Sequence, residues 1–261
     1  MTAVALRMTG ADVLKLRKKR GTLIWVLVLA LLPVIVLFTV KAIQHSSNPL
    51  KYEPAGGTAG FTDGLRLLCL FFGPLAAILI GVEAGTGDAS AGVFRDLVVT
   101  GRSRLALFAS RVPAALAVCW SVTVTGYVLV LLGTFAFASN LPTPDTALVL
   151  NGLGFTLLAT GVVCAVAVGF ASLTTSKPAA ITALIGWQLV ASPLIANISS
   201  LGSARDGVLS QALAHFSPVH IGGGGRGATV TMSQGIGLLV IVAWLAVFLA
   251  LGAWRTRTMD S

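Results

Sequence analysis

Charge is what this chain has least of. Only 10% of its 261 residues are Asp, Glu, Lys or Arg, against 56% hydrophobic ones, whereas a water-soluble globular domain is about a quarter charged. A solvated outer shell cannot be built from so few charges, and a mean hydropathy of +0.91 places most of the chain in lipid. The chemistry-bearing residues are equally scarce. The three cysteines, Cys69, Cys119 and Cys164, fall inside apolar runs at no metal-ligand spacing, so they read as small packing residues, with no disulfide and no metal site expected. The three histidines, His45, His215 and His220, lie in connections, and the last two are five apart, where a shared helical face favours i, i+4.

Energy-converting motifs are missing too. No lysine precedes a serine or threonine, so there is no Gly-x4-Gly-Lys-Ser/Thr loop to cradle phosphates, and the Gly222–Gly225 run reads as a flexible joint. No Gly-x-Ser-x-Gly elbow and no paired intramembrane carboxylates occur, so no catalytic residue is assigned and the chain is not expected to be an enzyme.

What is present is a series of apolar runs, each roughly 18 to 27 residues, long enough to cross a hydrocarbon core about 30 Å thick at about 1.5 Å per helical residue. They cover 22–43, 64–82, 112–138, 148–174, 179–198 and 233–254. No period-2 pattern runs through them, so the expected fold is an all-α, six-transmembrane-helix bundle forming a single membrane domain over 1–261, not a barrel. The basic region before the first run resembles a secretory signal, but the run is too long and no small-x-small site follows it, so a retained helix is expected.

Lysine and arginine are distributed unevenly between the two sides of such a bundle. Thirteen fall on the amino-terminal side: Arg7, Lys15, Arg17, Lys18, Lys19, Arg20, Arg95, Arg102, Arg104, Arg111, Lys177, Arg255 and Arg257. Five fall opposite: Lys41, Lys51, Arg66, Arg205 and Arg226. The positive-inside rule then puts both termini in the cytoplasm, and the net charge of +9 reads as topology and anionic-lipid contact, with no nucleic-acid partner. The expected location is a plasma membrane, multi-pass, of the bacterial inner-membrane kind. Residues 3–20 carry Val4, Met8, Ala11 and Leu14 at helical spacing, which predicts an amphipathic helix along the inner leaflet.

The connections differ in kind. Residues 44–63 form a polar Gly/Pro/Ser loop, 139–147 a short turn with Pro142 and Pro144, and Ser176-Lys177-Pro178 a tight break. The longest, 199–232, contains a short helical stretch at 208–216 and is expected to cap the bundle from outside. Gly81 and Gly85 make a small-x3-small pair suited to close helix packing.

Between the second and third runs lies a charged amphipathic interruption, Glu83 through Arg111. A helix over about 88–100 would place Val93, Phe94, Leu97 and Val98 on one apolar face with Arg95 and Asp96 opposite; Thr100-Gly101 ends it, and Arg102, Arg104 and Arg111 return the chain to the headgroups. Glu83, at the inner end of a span, should either sit solvated at the helix end or pair with Arg95, Arg104 or Arg111, because a carboxylate dragged to mid-bilayer costs about 3 kcal/mol.

Six spans, an amphipathic leading segment, a charged helix between spans two and three, and a long outer segment before span six together resemble the permease subunit of type-2 ATP-binding-cassette exporters. A loose motif resembles that family as well: Glu83, Gly87, Leu97, Ser103-Arg104 and Arg111 stand at matching spacing, with Asp88 where Thr is usual and Gly101 where Pro is usual. The resemblance implies a coupling helix that seats in a separate nucleotide-binding ATPase subunit, which would hold ATP and Mg, no cofactor on this chain, and a second permease chain, identical or a sister. It implies export of a hydrophobic or amphipathic solute such as a drug, lipid or peptide. Candidate path-lining residues are Thr125, Asn151, Thr156 and Gln188, with Trp187 and Gln188 near the subunit seam. The competing readings are an ion-gradient-driven carrier, disfavoured because no acid sits at a span centre, and a non-transporting scaffold or sensor.

Overall fold

The computed structural model describes residues 2–90, 103–174, 176–219 and 232–258, and those residues are all-helical, with no strand among them. Six helices are long and apolar enough to cross a membrane. An amino-terminal helix α1 (Thr2–Lys18) breaks at Lys19 into α2 (Arg20–Ser47). Then come α3 (Gly57–Gly87, helical through Ser90), α4 (Arg104–Ala136), α5 (Thr146–Ala171), α6 (Lys177–Asn197), a short α7 (Leu209–His215) and α8 (Gln234–Thr258). Every apolar run becomes one of these long helices, because in hydrocarbon a backbone must satisfy its own hydrogen bonds.

Helix starts follow local chemistry. Ser103 caps α4 by accepting from the Ala106 N–H at 3.2 Å, Asp145 caps α5 from Leu148 N–H at 2.8 Å, and Ser176 caps α6 from Ala179 N–H at 3.4 Å. The second long helix begins at Gly57, seven residues before the apolar run. Gly57 and Gly60 read as loop residues in the sequence and Gly64 as the first residue of the run; here all three lie in the helix and let it approach its neighbours. A Cβ at Gly60 would fall 2.1 Å from the Ala55 carbonyl oxygen and one at Gly64 2.7 Å from Val130. Gly57 itself sits at φ +69, where a side chain would be strained.

α3 and α5 form the centre of the bundle. Their crossing is made of small residues: a Cβ at Gly81 would lie 2.6 Å from the Cys164 carbonyl oxygen, and one at Gly85 2.7 Å from the Ala171 Cβ. A second close crossing joins α5 to α8, where Gly169 meets the backbone of Phe248 and Gly252 the backbone of Gly169. Several core hydroxyls are tied down, while Thr134 Oγ1 is buried without a partner among the described residues. Thr156 and Thr160 donate to the carbonyls four residues earlier, Thr156 meets Cys69 at 3.2 Å, and Trp120 Nε1 donates to Leu157 O at 3.0 Å. Two helices carry one wide π turn each, Leu67–Phe72 in α3 and Trp187–Ala191 in α6.

α2, α6 and α8 form the uncovered flank, α6 the most exposed of the six. The segment leading to α7 folds back on α8: Leu209, Ala212 and Leu213 are buried, Ser210 and Ser192 share a 2.5 Å hydrogen bond, and Trp244 Nε1 donates to Gly207 O at 3.0 Å. Trp244 lies ten residues into α8, about 15 Å along its axis. The helical stretch expected at 208–216 is therefore present as Leu209–His215, and it is drawn well down the side of α8.

α1 is a helix as expected, and Ala11 and Leu14 of the anticipated stripe are on its exposed side. Val13 and Leu16 turn toward the bundle and Asp12 reaches Ser110 on α4 at 2.7 Å, while Leu6, Ala11 and Leu14 face outward. The outward apolar side is the one available to lipid.

Candidate functional site

The densest charge chemistry gathers where α1, α2, α3, α4 and α6 meet at one end of the bundle. At its centre is Glu83, one turn before the end of α3 and only 3% exposed. Lys19, the residue at the α1–α2 break, reaches Glu83 Oε1 at 2.8 Å; Lys177, the first residue of α6, pairs with Oε2; and Thr22 Oγ1 donates to Oε2 at 3.1 Å. Both carboxylate oxygens are thus engaged, by groups 61 to 94 residues away in sequence. This corrects two expectations. Glu83 is not a solvated helix end, and the bases on it are lysines from other connections, not Arg104 or Arg111; Arg95 lies outside the described residues.

The physical reason is the geometry of the end. Gly81 and Gly85 press one side of α3 against α5, and Glu83, two residues from each, points from another side toward the α1–α2 break and the start of α6, where Lys19, Thr22 and Lys177 meet it. Arg111 is buried as well, 5% exposed, and donates to the Gly85 carbonyl at 3.5 Å, bridging the second turn of α4 to the last turns of α3. Arg104 donates from Nη1 to the Arg257 carbonyl at 3.2 Å, tying the start of α4 to the end of α8. Ser103, read with Arg104 as part of a motif, is the α4 cap.

Val93, Phe94, Arg95, Asp96, Leu97, Val98 and Arg102, the expected docking residues, lie outside the described residues. What frames them is described: α3 runs out through Ser90 beside Glu83, and α4 restarts at Ser103–Arg104. The candidate path residues do not share one surface. Thr156 is buried in the core beside Cys69; Thr125 and Asn151 are exposed on α4 and α5, with Thr125 donating to the Ser121 carbonyl; Gln188 lies half-buried in the π turn of α6, where the neighbouring Trp187 stacks obliquely on Trp244.

Lys19, Lys177, Thr22 and Asp12 were not singled out in the sequence. The available signal was their shared side: Lys19, Thr22 and Lys177 sit at helix starts or breaks on the lysine-rich face, and Asp12 lies within α1 on the same side. The opposite end carries a simpler clamp, Lys41 and Arg66 on Asp63, joining α2 to α3. No group of three or more His, Cys, Asp or Glu suited to a metal ion occurs among the described residues. No protein-family model matches the chain, and no curated protein matches it.

Proposed function

We propose that this chain is the membrane permease subunit of an ATP-binding-cassette exporter, moving a hydrophobic or amphipathic solute with energy from a separate ATPase. The observation that carries the reading is the Glu83 clamp. A buried carboxylate fastens the α1–α2 joint and the start of α6 to α3 two turns before its end at Ser90, and the segment expected to dock an ATPase follows that end in the chain. A push on that segment is delivered to two other connections at once. The six long apolar helices supply a membrane body, and the apolar character of their facing sides favours a greasy cargo over a sugar or ion.

In this reading both termini and the clamp lie in the cytoplasm, Phe94 and Leu97 enter a groove of the ATPase, and a second permease chain completes the path. The test is co-purification of the tagged chain from its native membrane. A soluble protein bearing a nucleotide-binding loop should accompany the wild type and be lost on Phe94→Asp, with ATP hydrolysis no longer stimulated by substrate. Transport that survives ATP depletion and collapses with an uncoupler would replace this reading with that of an ion-driven carrier.

A further inference from the structure

We infer that residues 199–207 face water and not lipid, and that they line an aqueous recess beside α6 and α8, open at the end of the bundle opposite Glu83, which admits small polar or charged solutes to the level of Gly207. This stands on the membrane placement of those two helices and does not require the transport reading.

Two contacts fix the depth. Ser210 hydrogen-bonds Ser192, and Ser192 opens the last six residues of α6, Ser192–Asn197, so that contact lies about 7 Å below the end of the helix. Trp244 Nε1 donates to the Gly207 carbonyl at 3.0 Å, from a level about 15 Å below the Gln234 end of α8. Both of these ends lie away from Glu83, since Lys177 starts α6 at the clamp and Arg257 stands at the close of α8 beside Arg104. The two helices have 21 and 25 residues, about 31 and 37 Å, so a hydrocarbon layer about 30 Å thick takes up nearly all of both. Gly207 and Ser210 are therefore held within the thickness of that layer, below the headgroups.

The chemistry of the segment does not suit lipid at that depth. Ser199–Gly207 is a short 3-10 stretch whose backbone leaves helical geometry at Ile198, at Gly202 (φ +53) and at Val208. Such backbone persists within a membrane only where protein buries it or water reaches it. Protein does not bury it among the described residues: Ser200 through Ala204 and Gly207 are exposed. The side chains agree with the backbone. The stretch reads SSLGSARDG, with Arg205 and Asp206 adjacent, and an ionised side chain at the centre of the bilayer costs about 3 kcal/mol. The exposed faces of α6 and α8 alongside are the opposite in character, carrying Val190, Leu194, Leu239 and Val242. Those faces are the lipid surface, and the polar stretch laid over them is the water surface. An apolar flank of another chain set against it would leave its carbonyls and charges unsatisfied; water satisfies both.

The experiment is thiol labelling of the full-length chain in lipid nanodiscs with a charged, lipid-insoluble alkylammonium methanethiosulfonate. The reagent forms a mixed disulfide with a thiolate and releases methanesulfinate, and only a thiol that meets water ionises to react. Ser203→Cys and Gly207→Cys place the probe on the recess, the second at a position where a Cβ meets nothing within 4 Å. Val190→Cys and Val242→Cys place it on exposed lipid-facing positions of α6 and α8 at similar depth, and the buried Cys69, Cys119 and Cys164 of the wild type set the blank. By intact mass, Ser203→Cys and Gly207→Cys should be modified at least about tenfold faster than Val190→Cys and Val242→Cys. Modification of Gly207→Cys as slow as that of the two valine positions would overturn the recess, whether Ser203→Cys reacts or not, and would mean that lipid or a second copy covers the segment. Rapid modification of all four would overturn it differently, by taking α6 and α8 themselves out of lipid.

Discussion

Removing Glu83 should cost less than stranding it without its two lysines. In Glu83→Gln the shape and the Thr22 hydrogen bond can persist, and what is lost is the charge facing Lys19 and Lys177. A hydrogen bond to a charged group contributes about 1.5–3 kcal/mol. The two lysine side chains are 49% and 35% exposed, however, and recover hydration when released, so the net loss is about 1–2 kcal/mol. The Lys19→Gln/Lys177→Gln double variant does the opposite. It strands a carboxylate whose side chain is 2% exposed, and an uncompensated buried charge costs about 3–5 kcal/mol. The expected order is wild type, then Glu83→Gln, then the double lysine variant, with the triple variant returning close to Glu83→Gln because the stranded charge has gone. The assay is reversible unfolding in mixed micelles by detergent titration, followed by tryptophan fluorescence. A double lysine variant no less stable than Glu83→Gln, or a triple variant that shows no recovery, would refute the claim that this carboxylate is desolvated and held by those two amines.

Other outcomes follow from the packing. Gly81→Val should separate α3 from α5 and lower stability by about 1–3 kcal/mol in the same unfolding assay, since its Cβ already meets backbone at 2.6 Å. Gly154→Ala, with nothing within 4 Å, should be neutral or stabilising by up to about 1 kcal/mol. Trp244→Phe removes the donor to Gly207 and should cost about 1 kcal/mol, with faster hydrogen exchange confined to 199–215.

The six helices were legible because apolar length is a one-dimensional property, and hydrocarbon leaves the backbone few alternatives. The early start at Gly57 was not, since Gly57 and Gly60 signal a loop in isolation but allow close approach once Leu141 and Ala55 are opposite them. The importance of Glu83 could be read from the cost of its charge near lipid. Its partners could not, because Lys177 is 94 residues away and meets it only through the α3–α5 crossing that the glycines create. The inward side of α1 was not legible for a related reason: Asp12 joins Val13 and Leu16 on it by accepting from Ser110, which is 98 residues away. The two π turns left no hydropathic trace at all.

Lys19 is both the residue that interrupts the helix between α1 and α2 and one of the two amines on Glu83. The fulcrum of a 17-residue arm is thus pinned to the inner end of α3. An arm of that length is about 25 Å long, so a 10° turn of α1 about Lys19 sweeps its far tip through about 4 Å. Because Asp12 ties the middle of that arm to Ser110, a displacement at Glu83 would be passed through α1 to α4 as well as toward the first residues of the chain.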